Sequence, residues 1–208
     1  MGEPCMSIHL HRHDLPADLA LGPVVAVDTE TMGLNPHRDR LCLVQLSAGD
    51  GVCHLVQFDG RRYEAPHLGR LLADPGTLKL FHFARFDIAV LRRYLGVRAA
   101  PVYCTKVASR LARTFTDRHG LRDLCQDLLG IELSKEQQSS DWGAPELSEV
   151  QLRYACGDVL HLHALRERLD AMIDREGRRE LAAACFAFLP SRAELDLAGW
   201  PEQDVFAH

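Results

Sequence analysis

The stretch Val24-Val25-Ala26-Val27-Asp28-Thr29-Glu30 decides the fold class. Four apolar residues in a row, three of them β-branched, suit a strand buried on both faces, and the acid that follows puts Asp28 near its exposed end. On an extended chain, residues two apart leave the same face about 6 to 7 Å from each other, so Asp28 and Glu30 can bridge one divalent ion.

Working outward, LCLVQLS (Leu41 to Ser47) and VCHLVQF (Val52 to Phe58) are joined by Ala48-Gly49-Asp50-Gly51. Two β-type runs around a turn signal predict an antiparallel hairpin beside the first strand. A short helix over Pro66 to Ala73 stops at Asp74-Pro75-Gly76. LKLFHF (Leu78 to Phe83) then reads as a strand, and Ile88 to Leu95 as a helix ending at Gly96. After a short segment at Val102 to Cys104, helices are expected over Lys106 to Arg113, Leu121 to Leu129, Glu146 to Glu176 and Arg178 to Phe188. A mixed sheet followed by helices is an α/β layered domain.

At 208 residues and 47% hydrophobic, the chain suits a single domain with a full core, set at residues 1–190. Residues 191–208 (SRAELDLAGWPEQDVFAH) form a tail whose Trp200 and Phe206 are expected to dock on the body or on a partner subunit, which makes a homodimer one arrangement. No apolar run reaches the about 18 residues of a membrane span, and MGEPCMSIHLHRHD is too polar for a signal-peptide core, so a cytoplasmic protein with no membrane partner is expected. Seven scattered cysteines without a C-x-x-C pair point to buried reduced thiols. His9, His11 and His13 alternate as strand residues do, putting three imidazoles on one face, where they either hold a transition metal or simply decorate an exposed strand.

A net charge of −5 argues against a nucleic-acid partner, but the charge is unevenly spread. Between Lys79 and Arg122 stand ten Lys and Arg against two acids, a net +8, which leaves −13 for the rest. This is either the solvated face of surface helices or an electrostatic footprint for phosphates.

The acids gain meaning from placement. Random placement of 17 Asp and 12 Glu among 208 positions gives about one D-x-E, and the chain has a second, Asp174-Arg175-Glu176, in a helical context where positions two apart diverge. Tyr154 and Asp158, four apart in YACGDVLHLHAL, share one helix face. Chance gives about 0.3 such pairs. Asp87 opens a helix after LKLFHF, where an acid also serves as an ordinary first-turn residue. Oxygen ligands from separate elements, Asp28, Glu30, Asp87 and Asp158, are what hard divalent ions require.

VAVDTETMGLNPHRDRLCLVQLS, FHFARFD and YACGDVLHLHAL resemble, in order and spacing, the three motifs of the DEDDy 3'-5' exonucleases. LSKEQQSSDW (Leu133 to Trp142) resembles a segment of the ribonuclease D family within that group, in a short form without the helical accessory domains. The likeness runs from about Val24 to about Leu169. It implies an RNase H-like fold and a two-metal exoribonuclease acting on RNA with a free 3' end, with Mg²⁺ or Mn²⁺ as cofactor and nucleoside 5'-monophosphates as products. Asp28, Glu30 and Asp158 would hold one ion, Asp28 and (through water) Asp87 the second, and Tyr154 would position the attacking water. Leu34 matches the position of an apolar wedge against the terminal base; Thr31 and Met32, with Glu30, would receive the 3'-hydroxyl. Phe83 stands where many DEDD enzymes have a polar residue that touches the terminal nucleotide, so His82 is expected to supply that contact instead. Lys135 would meet a phosphate, with Gln138 and Trp142 shaping the wall.

Three other readings share parts of this pattern. A haloacid dehalogenase-type phosphatase would match DTETM loosely, but it needs a second Asp where Glu30 stands, and its Gly-Asp-x-x-x-Asp signature is broken by Leu162 after Gly157-Asp158. A DNA exonuclease of the same DEDDy type acting on single-stranded DNA would use the same acids. An inactive nucleic-acid-binding domain would have lost one of the five positions, and all five are filled.

Overall fold

The computed structural model describes residues 7–134, 137 and 140–207. Six strands, β1 (Ser7–Arg12), β2 (Val24–Thr31), β3 (Leu41–Ser47), β4 (Val52–Gln57), β5 (Leu78–Phe81) and β6 (Val102–Cys104), form one sheet in the order β1-β4-β3-β2-β5-β6. β2 pairs antiparallel with β3 and β3 with β4, as the turn signal predicts, while β1, β5 and β6 join parallel to their neighbours.

The helices are α1 (Pro66–Ala73), α2 (Ala84–Leu95), α3 (Thr105–Ala112), α4 (Leu121–Leu124), α5 (Glu149–Leu160), α6 (Leu162–Arg175) and α7 (Arg179–Leu197). Val25, Val27, Val44 and Val56 turn one face of the sheet toward Leu68 of α1, Ile88 and Leu91 of α2 and Leu189 of α7. Ala26, Leu43, Leu55 and Leu80 turn the other toward Ala108 of α3, Val159 of α5 and Leu165 and Leu169 of α6. The result is a mixed sheet flanked by helices, three layers with two apolar interiors.

Several elements differ from their sequence-based bounds. The helix expected over 146–176 is two helices. A capping box at Ser148 and Gln151 starts α5, and His161 (φ −103, ψ −4) ends it before α6 begins. The segment over 121–129 starts as α4 and widens into a π-helical turn at Cys125–Leu129, closed by Gly130 at φ 70. α2 starts four residues earlier than expected, at Ala84. α7 continues past the buried Pro190 to Leu197, and Arg192 Nη2 donates to the carbonyls of Trp200 (2.9 Å) and Pro201 (3.1 Å), laying the tail along it. Phe206 rests its ring 5.8 Å from Phe188, while Trp200 and Phe206 stay 43% and 70% exposed.

His13 does not share a strand face with His9 and His11, because β1 ends at Arg12 and His13 turns at φ 68. The third imidazole of that group is His54, which faces His9 in register; His11 Nε2 lies 3.1 Å from His54 Nδ1. Cys42, Cys53, Cys104, Cys125 and Cys156 are buried free thiols. Among the described residues no helix is long and apolar enough to cross a membrane.

Candidate active site

The alternation of β2 divides its polar end between two neighbours. Ala26 faces the layer holding α5, so Asp28 and Glu30, two and four residues on, continue that face toward Asp158 and Tyr154. Val25 and Val27 face the layer holding α2, and Thr29 continues that side toward Asp87. Carboxylate oxygens of Asp28, Glu30 and Asp158 lie within 4.8 Å of one another, a spacing one divalent ion can close. Asp87 is reached from the other side, where the buried Thr29 Oγ1 donates to Asp87 Oδ1 at 2.7 Å.

Gln45, opposite Asp28 in the β2–β3 register, donates from Nε2 to Asp28 Oδ2 at 3.3 Å. Neither Thr29 nor Gln45 was singled out by the sequence. The available signal was a glutamine with no exposed surface inside the apolar run LCLVQLS, since a buried amide implies a fixed partner.

Burial first, and crowding by one another for Asp28, Glu30 and Asp87, raise the proton affinity of these acids. Asp28 is pushed well above the usual carboxylate range by burial first and then by Asp87, Asp158 and Glu30. Glu30 is pushed up to about 9 by burial and by Asp158 and Asp87. Asp87 rises to about 7 by burial, against the hydrogen bond from Thr29, and Asp158 to about 7 by burial. Asp28, Glu30 and Asp158 retain some solvent contact, so a ligand can reach them even though protein encloses them closely enough to penalise charge. Among the described residues no lysine or arginine acts on them. A donor set of this kind fits divalent cations, whose charge would replace the retained protons.

Tyr154 sits one turn before Asp158 on α5, with its hydroxyl pKa raised by burial and by Asp158, Glu30 and Asp28. Its ring packs 6.0 Å from Trp142, which is 2% exposed. Trp142 therefore does not form the wall of an open site; it is the core residue behind Tyr154. The open wall is a cleft of about 430 Å³ beside Asp158, lined by Leu133, Val150, Arg153, Tyr154 and Gly157 among others.

The loop after β2 carries the residues expected at the 3' end. Thr31 Oγ1 donates to the Gly33 carbonyl, and Met32 N–H donates to the Arg40 carbonyl at 3.1 Å, so this N–H is already engaged within the protein. Asp39 ties the loop by accepting from Asn35 N at 3.0 Å and pairing with Arg38; a Cβ at position 33 would fall inside contact distance of its carboxylate, which is why Gly33 stands there. The loop holds Met32 and Leu34 outward, 49% and 85% exposed. His82 turns inward instead: Nδ1 lies 2.9 Å from Thr105 Oγ1, and burial with Lys106 nearby pushes its pKa down to about 3. Lys135 and Gln138 lie outside the described residues.

Residues 12–174 match the family described as 3'-5' exonuclease. The chain is 36% identical to the ribonuclease D of Gluconacetobacter diazotrophicus over 171 residues, 82% of this chain and 43% of that protein, so it spans under half the length of this curated relative. Among solved structures, Brucella melitensis NrnC bound to pGG is similar with a TM-score of 0.94 and 54% identity, covering 98% of this chain and 99% of that one. The same protein with bound Mg²⁺ gives a TM-score of 0.94 at 53% identity, over 98% and 100% of the two chains. Escherichia coli RNase D, described as an exoribonuclease involved in structured RNA processing, is similar with a TM-score of 0.72 and 25% identity over 83% of this chain and 45% of that one.

Proposed function

The chain belongs to the 3'-5' exonuclease family, and from that premise we propose that it hydrolyses RNA from the 3' end by a metal-dependent displacement that releases nucleoside 5'-monophosphates. The observation that carries this reading is the convergence of Asp28, Glu30, Asp87 and Asp158 with no cation to balance them among the described residues.

Asp28, Glu30 and Asp158 would hold one divalent ion, and Asp28 with Asp87 a second; Mg²⁺ is the first choice because NrnC has been solved with it, and Mn²⁺ the alternative. Bound there, such ions supply Lewis-acid stabilisation to the attacking and leaving oxygens at phosphorus. Thr29 and Gln45 keep Asp87 and Asp28 in place. Tyr154, whose raised pKa keeps it a neutral phenol, orients water by hydrogen bonding and does not remove its proton. Leu34 and Met32 offer apolar surface for the terminal base; Glu30 and the backbone at Thr31 would meet the 3'-hydroxyl. His82 acts from behind the surface, and Lys135 would approach a phosphate.

The pGG bound to NrnC supports a short 5'-phosphorylated dinucleotide as the first substrate to try. A DNA exonuclease of the same type would use the same acids, and matched RNA and DNA oligonucleotides separate the two. The exposed Trp200 and Phe206 support the tail as a contact for a second copy, and a cytoplasmic location belongs to the same proposal.

The deciding experiment incubates the protein with 5'-labelled single-stranded RNA and with pGG, with Mg²⁺, Mn²⁺ or EDTA. A ladder shortening from the 3' end with metal and not with EDTA is expected. Intact RNA with every metal, or shortening from the 5' end, overturns the reading.

A further inference from the structure

Phe83 breaks two local rules at once. It takes φ 64 and ψ 39, one of only two non-glycine residues in the left-handed region among the described residues. That backbone is strained for a bulky residue. Its ring is 47% exposed, so burial does not offset the cost, and it caps α2 without a side-chain hydrogen bond. It stands at the N-terminus of α2, four residues ahead of Asp87.

What lies beside the ring is a cation. Lys106 Nζ sits 4.1 Å from the Phe83 centroid, and the exposed Arg110 follows one turn further along α3, about 5 to 6 Å away between Cβ atoms. In the basic segment 79–122 five of the ten charges are engaged in this way: Arg85 with Asp196, Arg92 with Glu194, Arg113 and Arg118 with Asp127 and Asp123, and Lys79 with three carbonyls. Lys106 and Arg110 have no carboxylate partner among the described residues. The buried Thr105 fixes the two halves of this ridge to each other, because its Oγ1 donates to the Phe81 carbonyl at 3.2 Å and contacts His82 Nδ1 at 2.9 Å. Ring and cations are therefore held on one rigid support.

We propose that Phe83, Lys106 and Arg110 form a contact ridge for the substrate strand, Phe83 stacking a base while Lys106 and Arg110 meet backbone phosphates. The assignment rests on the exonuclease reading and adds to it a named surface that grips the substrate strand. Aromatic stacking tolerates any base and the two cations recognise only backbone, so this ridge confers grip without sequence preference. It also gives the +8 segment a defined point of action.

The test measures binding of a 5'-labelled RNA decamer to the Asp28→Asn protein in Mg²⁺ across a range of KCl, read as anisotropy. With Lys106→Ala and Arg110→Ala combined, the slope of log K against log salt is expected to flatten by about 1.4, since each phosphate contact on a single strand contributes about 0.7. Phe83→Gly, which relieves the backbone strain, is expected to raise Tm yet weaken binding about tenfold at every salt concentration, while Phe83→Tyr restores affinity. An unchanged slope in the double variant, or parental affinity in Phe83→Gly, overturns the ridge. The exonuclease reading fails separately, when the wild-type protein leaves the RNA intact with metal; in that case the ridge assignment falls with it.

Discussion

Asp196 on α7 and Asp28 on β2 are both acids withdrawn from water, and the protein balances only one of them. Asp196 accepts from Arg85 Nε at 2.6 Å and Nη2 at 2.8 Å, and Arg192 approaches its Oδ1 at 2.9 Å. Asp28 receives one long bond from Gln45 and otherwise faces Glu30, Asp87 and Asp158. A guanidinium pair finishes the first site as structure and joins α2 to α7. The second stays electrostatically unfinished, which is how a protein keeps a place for a cation that it does not itself supply.

The sharpest break of this contrast is Asp28→Asn. Metal-dependent release of nucleotides from RNA should fall to background, whereas metal-free Tm above neutral pH should rise because one of four repelling acids is gone; retained turnover would end the metal-site reading. Tyr154→Phe should lower kcat by about 10²-fold or more with little change in KM, as orienting groups commonly do, and a KM effect alone would make Tyr154 structural.

Arg85→Ala tests the balanced side. Breaking the partly exposed pair should cost about 1 to 3 kcal/mol in urea unfolding and leave kcat near wild type, since Asp196 keeps Arg192. The smallest effect is the pH slope. Glu30, Asp87 and Asp158 have folded pKa values of about 9, 7 and 7, above their unfolded values, so the folded state binds the extra protons. Their stability contribution is full below about pH 4 and is lost as pH rises through about 7 to 9. Metal-free Tm should therefore decline over that range, and Mg²⁺ should flatten the decline; a flat metal-free profile would contradict the proposed repulsion.

The sequence made the strands legible wherever hydrophobic pattern and turn residues agreed: VVAVD, the hairpin around Ala48-Gly49-Asp50-Gly51, and the helix from Pro66 all stand where they read. It read less well where a tertiary contact set the boundary. Nothing in the run from Glu146 to Glu176 breaks helical periodicity at His161, and Pro190, a residue that usually ends a helix, lies buried inside α7. The histidine group was half legible, since period-two spacing on β1 gave His9 and His11 but only sheet pairing brings in His54 from β4.

The sequence by itself determined which acids share a face: the two-residue spacing of Asp28 and Glu30 on a strand and the four-residue spacing of Tyr154 and Asp158 on a helix follow from local backbone geometry alone. Only the tertiary structure decided that β2 sends Asp28 and Glu30 to α5 but Thr29 to Asp87, that Trp142 backs Tyr154 from within the core, and that Phe83 stands out beside Lys106. Those outcomes depend on how the layers stack and on which charges find partners, and both are long-range properties that no local window contains.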